Sequence, residues 1–503
     1  MTEIQSFYEG QNVFITGGTG FLGKILIEKL LRSFPQIGTI YILIRSKKGK
    51  DIKTRLDEFF SVQVFEVLEK INPNFREKIV GISGDGTEPA LGISAKDRLL
   101  LTNEVSIIFH AAATVKFNEP LSVAVAINVN AVKELIILCR ECKKLKSAVY
   151  VSTAFSNCIY EKIEEKIYPS PMSCEQINAT VNIMKYKNLT EEEEEQMTKN
   201  ILGKFPNTYT FTKAIAESLI NENAKDLPFC IYRFSIALST YKEPFPGWLD
   251  AYQGLNVAIS QVGRGLIHVL YADPSAKCDF VPADFASNAL IASAWGNYSM
   301  QRGQNEDIAV YNYVSGTDNP ILWEDLRKIM VVLRNTIATN KCIYYPFGWY
   351  IKSKIVFDIL NFFLHFLPAL IVDLILKLIG KKPILYKVYN RGIKLLNVIS
   401  FFMIQKWDFD THNVRLLWNK LSENDKKLLP FDITSFNWFD GISVYIESIK
   451  RYVLKDDINE FTIKKSQRHI KRLWTIHQIV KIIFGYFVLW FIWKIICMFK
   501  ILL

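Results

Sequence analysis

Residues 11–34 read QNVFITGGTGFLGKILIEKLLRSF, and they decide the fold. An apolar run ends in a glycine-rich turn and passes straight into a helix whose apolar positions recur at helical spacing. The glycines fall at Gly17, Gly20 and Gly23, with Gly18 beside the first. In a strand–turn–helix unit of this kind the first glycine makes the tight turn. The second lets a pyrophosphate approach the backbone, and the third allows the helix to pack closely on the strand. The free N–H groups and positive dipole end of the helix then face the phosphates. The next apolar run, TIYILIRS at 39–46, completes the unit and makes the glycine pattern specific.

Outward from this unit the alternation continues. KIVGISGD ends at Asp85, VSIIFHAAA at Ala113, SAVYVST at Thr153 and PFCIYRFS at Ser235, separated by helical runs such as NVNAVKELIILCRECKKL. Strands alternating with helices predict an α/β fold, a Rossmann-type doubly wound parallel sheet. Ligands of such sheets bind beyond the carboxyl ends of the strands, where Asp85, Ala111–Ala113 and Thr153 fall. The second strand ends not in the acidic residue that holds a ribose 2′-hydroxyl but in Arg45, followed by Lys47 and Lys48. A guanidinium there suits a 2′-phosphate, so the expected cofactor is NADPH. Its expected contacts are Gly17, Thr19, Gly20, Phe21, Leu22, Gly23, Arg45, Asp85, Ala112 and Lys213.

The charge of +11 is uneven. Residues 341–503 hold 25 Lys+Arg against 12 Asp+Glu, whereas residues 1–340 hold 36 against 38. A near-neutral body argues against nucleic acid as a partner, and a basic final third fits a surface facing anionic lipid. Eight cysteines include one CxxC, Cys139 and Cys142, at the end of a helix. A structural zinc site needs four ligands, so no metal is expected and the thiols are read as reduced. The start MTEIQSFYEG lacks the basic and apolar regions of a signal peptide. The run Glu191–Glu195 follows Thr190 and reads as a capped, solvated helix start. His110 reads as a structural histidine at a strand end.

The stretch NTYTFTK at 207–213 sets Tyr209 and Lys213 one helical turn apart, on a shared face. Taken with TGGTGFLG, HAAATVKFNEPL, VSTAFSN, PNTYTFTKAIAE, EPFPGWLD and DFVPADFASNALI, it resembles the fatty acyl-CoA reductases, of the extended short-chain dehydrogenase/reductase superfamily. The stretch LSENDKKLLPFDITSFNWFDGISVYIESIKRYVLKDD at 421–457 is similar to that family's C-terminal domain. The resemblance implies reduction of a long-chain acyl-CoA to a primary alcohol with two NADPH, through an aldehyde. It also implies Tyr209, Lys213 and Thr153 as catalytic residues, with Ser152 as the alternative to Thr153. Adjacent strand residues point to opposite faces, so only one of those two can reach the site. This sequence departs from the family pattern at NVNAV (128–132) and at RFSIA (233–237). The groups themselves suggest a mechanism. An ammonium roughly 4–5 Å from a phenol favours the phenolate by about 3–4 kcal/mol at an effective dielectric near 20, or about 2–3 pKa units. A sterol or lipid-alcohol oxidoreductase and a non-catalytic NADPH-binding scaffold are the alternative readings.

Three regions are expected: a reductase domain over 1–290, a mainly helical domain over 291–473 and a membrane anchor over 474–503. Residues 355–379 are apolar, but Asp358, Asn361, His365, Asp373 and Lys377 mark one helical face and Pro368 adds a kink. That pattern suits an amphipathic helix packed on the protein or lying in the lipid interface. Residues 482–499 carry a single charge, Lys494, and make about 27 Å of helix, adequate for the hydrocarbon core of a bilayer. The basic flank before it predicts a catalytic body on the cytosolic side, with endoplasmic reticulum, peroxisome and lipid droplet not distinguished. The helical part is expected to grip the acyl chain. Chain-length preference and oligomeric state are not encoded in any motif.

Overall fold

The computed structural model describes residues 1–46, 50–187, 189–250, 254–300, 307–334 and 338–502. Lys47 and Lys48 lie outside the described residues. Seven parallel strands form one sheet: β1 (Asn12–Thr16), β2 (Ile40–Ile44), β3 (Ile79–Ser83), β4 (Val105–His110), β5 (Ser147–Thr153), β6 (Phe229–Phe234) and β7 (Ala309–Tyr313). Their order is β7-β6-β5-β4-β1-β2-β3. Register pairs Val13 with Ile40 on one side of β1 and Ile15 with Phe109 on the other. The chain runs outward from β1 through β3, then returns to build β4 to β7 on the opposite flank. The order therefore reverses between β1 and β4, opening a crevice above their carboxyl ends.

Helices α1 (Phe21–Ser33) and α4 (Ala283–Ser299) pack on each other, while α2 (Ala131–Glu141) and α3 (Thr208–Asn223) pack together elsewhere around the sheet. Because the central strands are covered on both faces, β4 and β5 are buried along their whole lengths. That is why they read as continuous rather than alternating apolar runs. At the NVNAV departure, Ala131 is buried, and a Cβ built on Gly86 would come within 3.3 Å of the Ala131 methyl. The extra methyl is thus accommodated by a glycine opposite.

Two compact units emerge, and the chain passes between them repeatedly. The first comprises Met1–Asp250, Lys277–Ile321 and Lys406–Tyr445, and the second Ala251–Ala276, Leu322–Gln405 and Ile446–Leu503. The second is mainly helical, with helices Gly254–Gly263, Trp323–Leu333, Lys354–Asn361, Leu367–Leu378, Leu385–Ile404 and Glu460–Leu502. Between Asn361 and Leu367 the helix widens into a π turn, Phe362–Phe366, and Pro368 sits in the first turn of the segment that follows. There its missing N–H costs nothing. The polar residues of this stretch are largely claimed within the unit. Asn361 donates to the Tyr389 hydroxyl (2.8 Å), the His268 backbone N–H donates to His365 Nε2 (2.8 Å), and Asp373 accepts from the N–H groups of Ile384, Leu385 and Tyr386. Its apolar residues face outward: Phe363, Leu374 and Leu378 are all exposed.

The long C-terminal helix has two halves. Its root docks on residues 338–347, where the Tyr344 hydroxyl and His477 Nδ1 share a hydrogen bond of 2.9 Å and Ile470 and Leu473 are buried. Beyond Ile479 the large apolar side chains among the described residues, such as Ile482, Phe484, Phe487, Leu489 and Trp493, are exposed. Among the described residues, three helical stretches are long and apolar enough to cross a membrane: Leu121–Glu141, Lys354–Leu378 and Glu460–Lys494.

Candidate active site

The crevice above β1 and β4 is built by the glycine turn. Gly17 has φ +73°, and a Cβ there would lie 2.5 Å from the backbone of Ala111 and Ala112. A Cβ on Gly23 would lie 2.4 Å from the Gly17 carbonyl oxygen. Neither position tolerates a side chain, so strand, turn and helix close up at backbone contact. Helix α1 starts at Phe21 after Gly20, and no side chain caps it. The first-turn N–H groups, from Phe21 onward, are left for an anion. The residues present fit a dinucleotide pyrophosphate. Thr16 ties the neighbouring strand: its hydroxyl accepts from the Ala112 N–H (3.3 Å) and shares a 2.8 Å hydrogen bond with His110 Nδ1. Burial, with the Lys213 charge nearby, pushes His110 down to about 3. Its Nε2 is buried without a partner among the described residues, so the ring is tied to the strand through Nδ1 alone.

Arg45 ends β2 and Asp85 stands two residues beyond β3. Their side chains lie 3.7 Å apart at the rim, with the Arg45 guanidinium exposed. The Asp85 carboxylate also accepts from the Thr87 hydroxyl at 2.9 Å. Thr19, Phe21 and Leu22 are part-exposed along the same rim. One contribution was not readable from the sequence. The loop 240–250 is fastened to α1, where Trp248 stacks on Phe21 (5.3 Å), Lys24 pairs with Asp250, and Lys29 and Arg32 both reach Glu243. Asp284, at the start of α4, holds the other end by accepting from the N–H groups of Tyr241, Lys242 and Glu243.

Thr153 is the last residue of β5, and Tyr209 and Lys213 lie in the first turns of α3. The side chain of Asn207 caps that helix by accepting from the Thr210 N–H (2.9 Å). Thr153 and Tyr209 meet: the Thr153 hydroxyl hydrogen-bonds the phenol and opposes a rise that burial drives to about 12. The Tyr209 ring retains some exposure and lies 5.9 Å from Phe117. Lys213 is buried, donates to the Val151 carbonyl at 2.7 Å and sits 4.5 Å over the Tyr150 ring. Its own pKa is pushed down to about 7 by burial, partly offset by the Glu217 carboxylate. The expectation that the ammonium brings the phenol close to neutral pH is therefore not met in this geometry. Burial sets the direction and the Thr153 hydroxyl opposes it, while the Lys213 amine is turned to the Val151 carbonyl and the Tyr150 ring.

Ser152 points the other way. Its hydroxyl donates to Glu217 at 2.5 Å, inside a buried network in which Arg233 grips the same carboxylate at 2.7 and 2.9 Å and Asn157 donates at 3.1 Å. Arg233 also donates to the carbonyls of Glu164 (3.1 Å) and Lys166 (2.8 Å). Glu217 stands one turn beyond Lys213 in TKAIAE. That spacing was the only signal that could have marked it. Phe234, at the RFSIA departure, stacks against Tyr232 at 6.2 Å.

A doubly wound sheet with this glycine turn defines an oxidoreductase that uses a nicotinamide dinucleotide. Family comparisons make the class narrower. Residues 15–290 match an NAD-binding family described as Male sterility protein, and residues 364–456 match a second, also described as Male sterility protein. The chain is 39% identical over 497 residues to fatty acyl-CoA reductase wat of Drosophila melanogaster, covering 99% of this chain and 94% of that one. It is 34% identical to fatty acyl-CoA reductase 1 of Rattus norvegicus, covering 94% and 90%. The chain belongs to the fatty acyl-CoA reductase family. In fold it is similar to the terminal R domain of the myxalamid PKS-NRPS pathway (TM-score 0.57, 20% identity, 89% of this chain and 92% of that one). The reductase domain of a non-ribosomal peptide synthetase from Mycobacterium tuberculosis is similar to the same degree (TM-score 0.57, 17% identity, 90% and 96%).

Proposed function

We propose that this chain reduces long-chain fatty acyl-CoA to a primary alcohol with NADPH, through an aldehyde that stays on the enzyme. The observation that carries the reading is the pairing of Thr153, at the end of β5, with Tyr209, one helical turn before the buried Lys213, in a chain of this family. Each reduction adds one hydride and one proton to carbonyl carbon and oxygen, which is the chemistry that bound dihydronicotinamide supplies. Two rounds convert a thioester, by loss of coenzyme A thiol, first to aldehyde and then to alcohol, consuming two NADPH. Thr153 holds the carbonyl oxygen through its hydroxyl and shares the developing oxyanion. Tyr209 donates the proton to that oxygen; a phenol near pKa 12 is a reservoir that keeps its proton until the oxyanion forms. Lys213, one turn beyond Tyr209, holds the dinucleotide ribose hydroxyls when the cofactor is bound.

The exposed guanidinium of Arg45, just after β2, supports NADPH, since a cation at the end of the second strand suits a 2′-phosphate. Arg45→Asp should raise KM for NADPH about 10- to 100-fold, the loss of one charge-assisted hydrogen bond, and leave KM for NADH nearly unchanged. Equal changes would remove the cofactor assignment. The helix Glu460–Lys494 supports anchoring in a membrane, and Lys464, Lys465, Arg468, Lys471, Arg472 and Lys481 support a cytosolic body. Incubation with palmitoyl-CoA and NADPH, followed by product chromatography, is the direct test. Hexadecanol with two NADPH consumed per alcohol is expected. Turnover of sterols alone, or none at all, would favour a lipid-alcohol oxidoreductase or a non-catalytic binder instead.

A further inference from the structure

Within the second unit, a cavity of about 140 Å³ lies among Leu255, Ile259, Leu326, Met330, Met403 and Ile446. About 15 Å³ admits one water, which then needs two to four polar partners. Most of the remaining lining is apolar as well, with Ser260, Arg327, Thr339, Tyr350 and Lys450 as polar exceptions besides Arg334, so the larger part of the space suits hydrocarbon. Arg334 and Ile470 line both this cavity and a wider, open depression completed by Tyr345, Gln467, Lys471 and Trp474. The Arg334 guanidinium lies 4.6 Å over the Tyr345 ring and donates from Nη1 to the Pro346 carbonyl at 3.2 Å. Its Nε is buried without a partner among the described residues. One end of an apolar slot thus carries two cations, and one of them has an unused donor.

The geometry points to a binding site for a long-chain amphiphile with a phosphate-bearing head. The alkyl chain fills the slot, and the head sits on Arg334 and Lys471. Two molecules carry that chemistry: the acyl-CoA substrate, which rests on the function proposed above, and a membrane phospholipid, which does not. An isolated cation next to a polar, open depression would merely be solvated. The continuity of that depression with a dry slot is what selects an amphiphile over free phosphate.

The test uses the full-length protein in phosphatidylcholine nanodiscs and reads binding, not turnover. Hexadecyl-CoA and octyl-CoA, thioethers with no reducible carbonyl, are titrated by calorimetry against wild type, Met330→Trp and the double variant Arg334→Gln/Lys471→Gln. Phospholipid retained after detergent purification is counted by native mass spectrometry. The double variant leaves the six apolar side chains of the slot in place, so it stays informative if Met330→Trp fails to fold. Weakening of hexadecyl-CoA by about tenfold or more, with octyl-CoA affected less by Met330→Trp, assigns the slot to the acyl chain of the substrate. Loss of retained phospholipid from both variants, with the hexadecyl-to-octyl affinity ratio held at its wild-type value, assigns it to membrane lipid. Unchanged affinities and unchanged lipid retention in folded variants overturn the proposal. A wild type that binds hexadecyl-CoA but makes no alcohol from palmitoyl-CoA would sink the reaction and leave the site standing.

Discussion

Two helices of similar apolar character meet opposite fates in this chain. Leu121–Glu141, which includes α2, has more than half of its residues buried, whereas Lys354–Leu378 has about a tenth. The first lies against a sheet whose strands are apolar on both faces, and Leu135 and Leu138 are fully buried. The second turns Asn361, His365 and Asp373 toward its own unit and Phe362, Phe363, Leu370, Leu374 and Leu378 outward. Composition alone cannot tell a core helix from a lipid-facing one. What separates them is what covers the apolar side chains: the first buries Leu135 and Leu138 and even the hydrogen-bonded Asn128, and the second leaves Phe363, Leu374 and Leu378 uncovered. The same contrast holds for the units. The first encloses buried polar networks such as Glu217–Arg233, while the second ends in apolar surface that needs a partner other than water.

Separability of the two units is tested most strongly by Tyr209→Phe. If Tyr209 is the proton donor proposed above, its loss should cut alcohol formation about 10³- to 10⁴-fold, with NADPH titration and membrane partition both at wild-type values. Altered partition would mean that site and membrane surface are coupled. Free aldehyde from this variant would confine the tyrosine to the second reduction.

The helix comparison itself breaks or holds on a pair of lysines. Leu135→Lys buries a charge with no partner, a cost of more than about 4 kcal/mol, and should leave no folded protein. Leu374→Lys places the charge on an exposed site and should leave the melting temperature within about 2 °C. If that face meets lipid, sedimentation with vesicles should fall about tenfold or more, since a lysine costs about 2.5–3.5 kcal/mol in a bilayer centre and less near its surface. Unchanged sedimentation would return the face to solvent or to a protein partner.

Legibility in the sequence followed the same line. The glycine turn, six of the seven strands and the position of Thr153 at a strand's carboxyl end could be read because each depends on neighbours within one βα unit; the seventh strand, Ala309–Tyr313, and the order of the strands depend on pairing between distant segments and were not read. Asp373 and His365 could be placed on one helical face from spacing alone. The environment of Lys213 could not: Tyr150 and Val151 lie about sixty residues away and meet it only through the pairing of β5 with α3. For the same reason a linear boundary at 290 differs from contacts that return residues 406–445 to the first unit.

Activity and stability should respond oppositely to pH around Lys213. Burial lowers its pKa from 10.5 to about 7, so the folded protein releases this proton before the unfolded chain does. Between about pH 7 and 10.5 the unfolded state binds more protons, and this group's contribution to stability rises with pH. If its charge positions the dinucleotide, kcat/KM should instead fall about tenfold per unit above pH 7. Lys213→Arg keeps the charge and should flatten that limb at reduced overall rate. A limb unmoved in the arginine variant would assign it to another group.

The smallest effect belongs to the residue next to the site. Ser152 and Thr153 are adjacent on β5, yet one hydroxyl serves Glu217 and the other Tyr209. Thr153→Ala removes a donor at the reacting oxygen and should cost about 10²- to 10³-fold in kcat. Ser152→Ala should leave kcat within about threefold, because Arg233 and Asn157 still hold the carboxylate. It should lower stability by about 1–2 kcal/mol, the loss of one hydrogen bond to a charged group. Thr153→Ser should recover most of the rate, since the hydroxyl rather than the methyl carries the role. If instead Ser152→Ala were the variant that loses turnover, the strand would present its other face to substrate, and the buried Glu217 network would become part of the chemistry rather than its support.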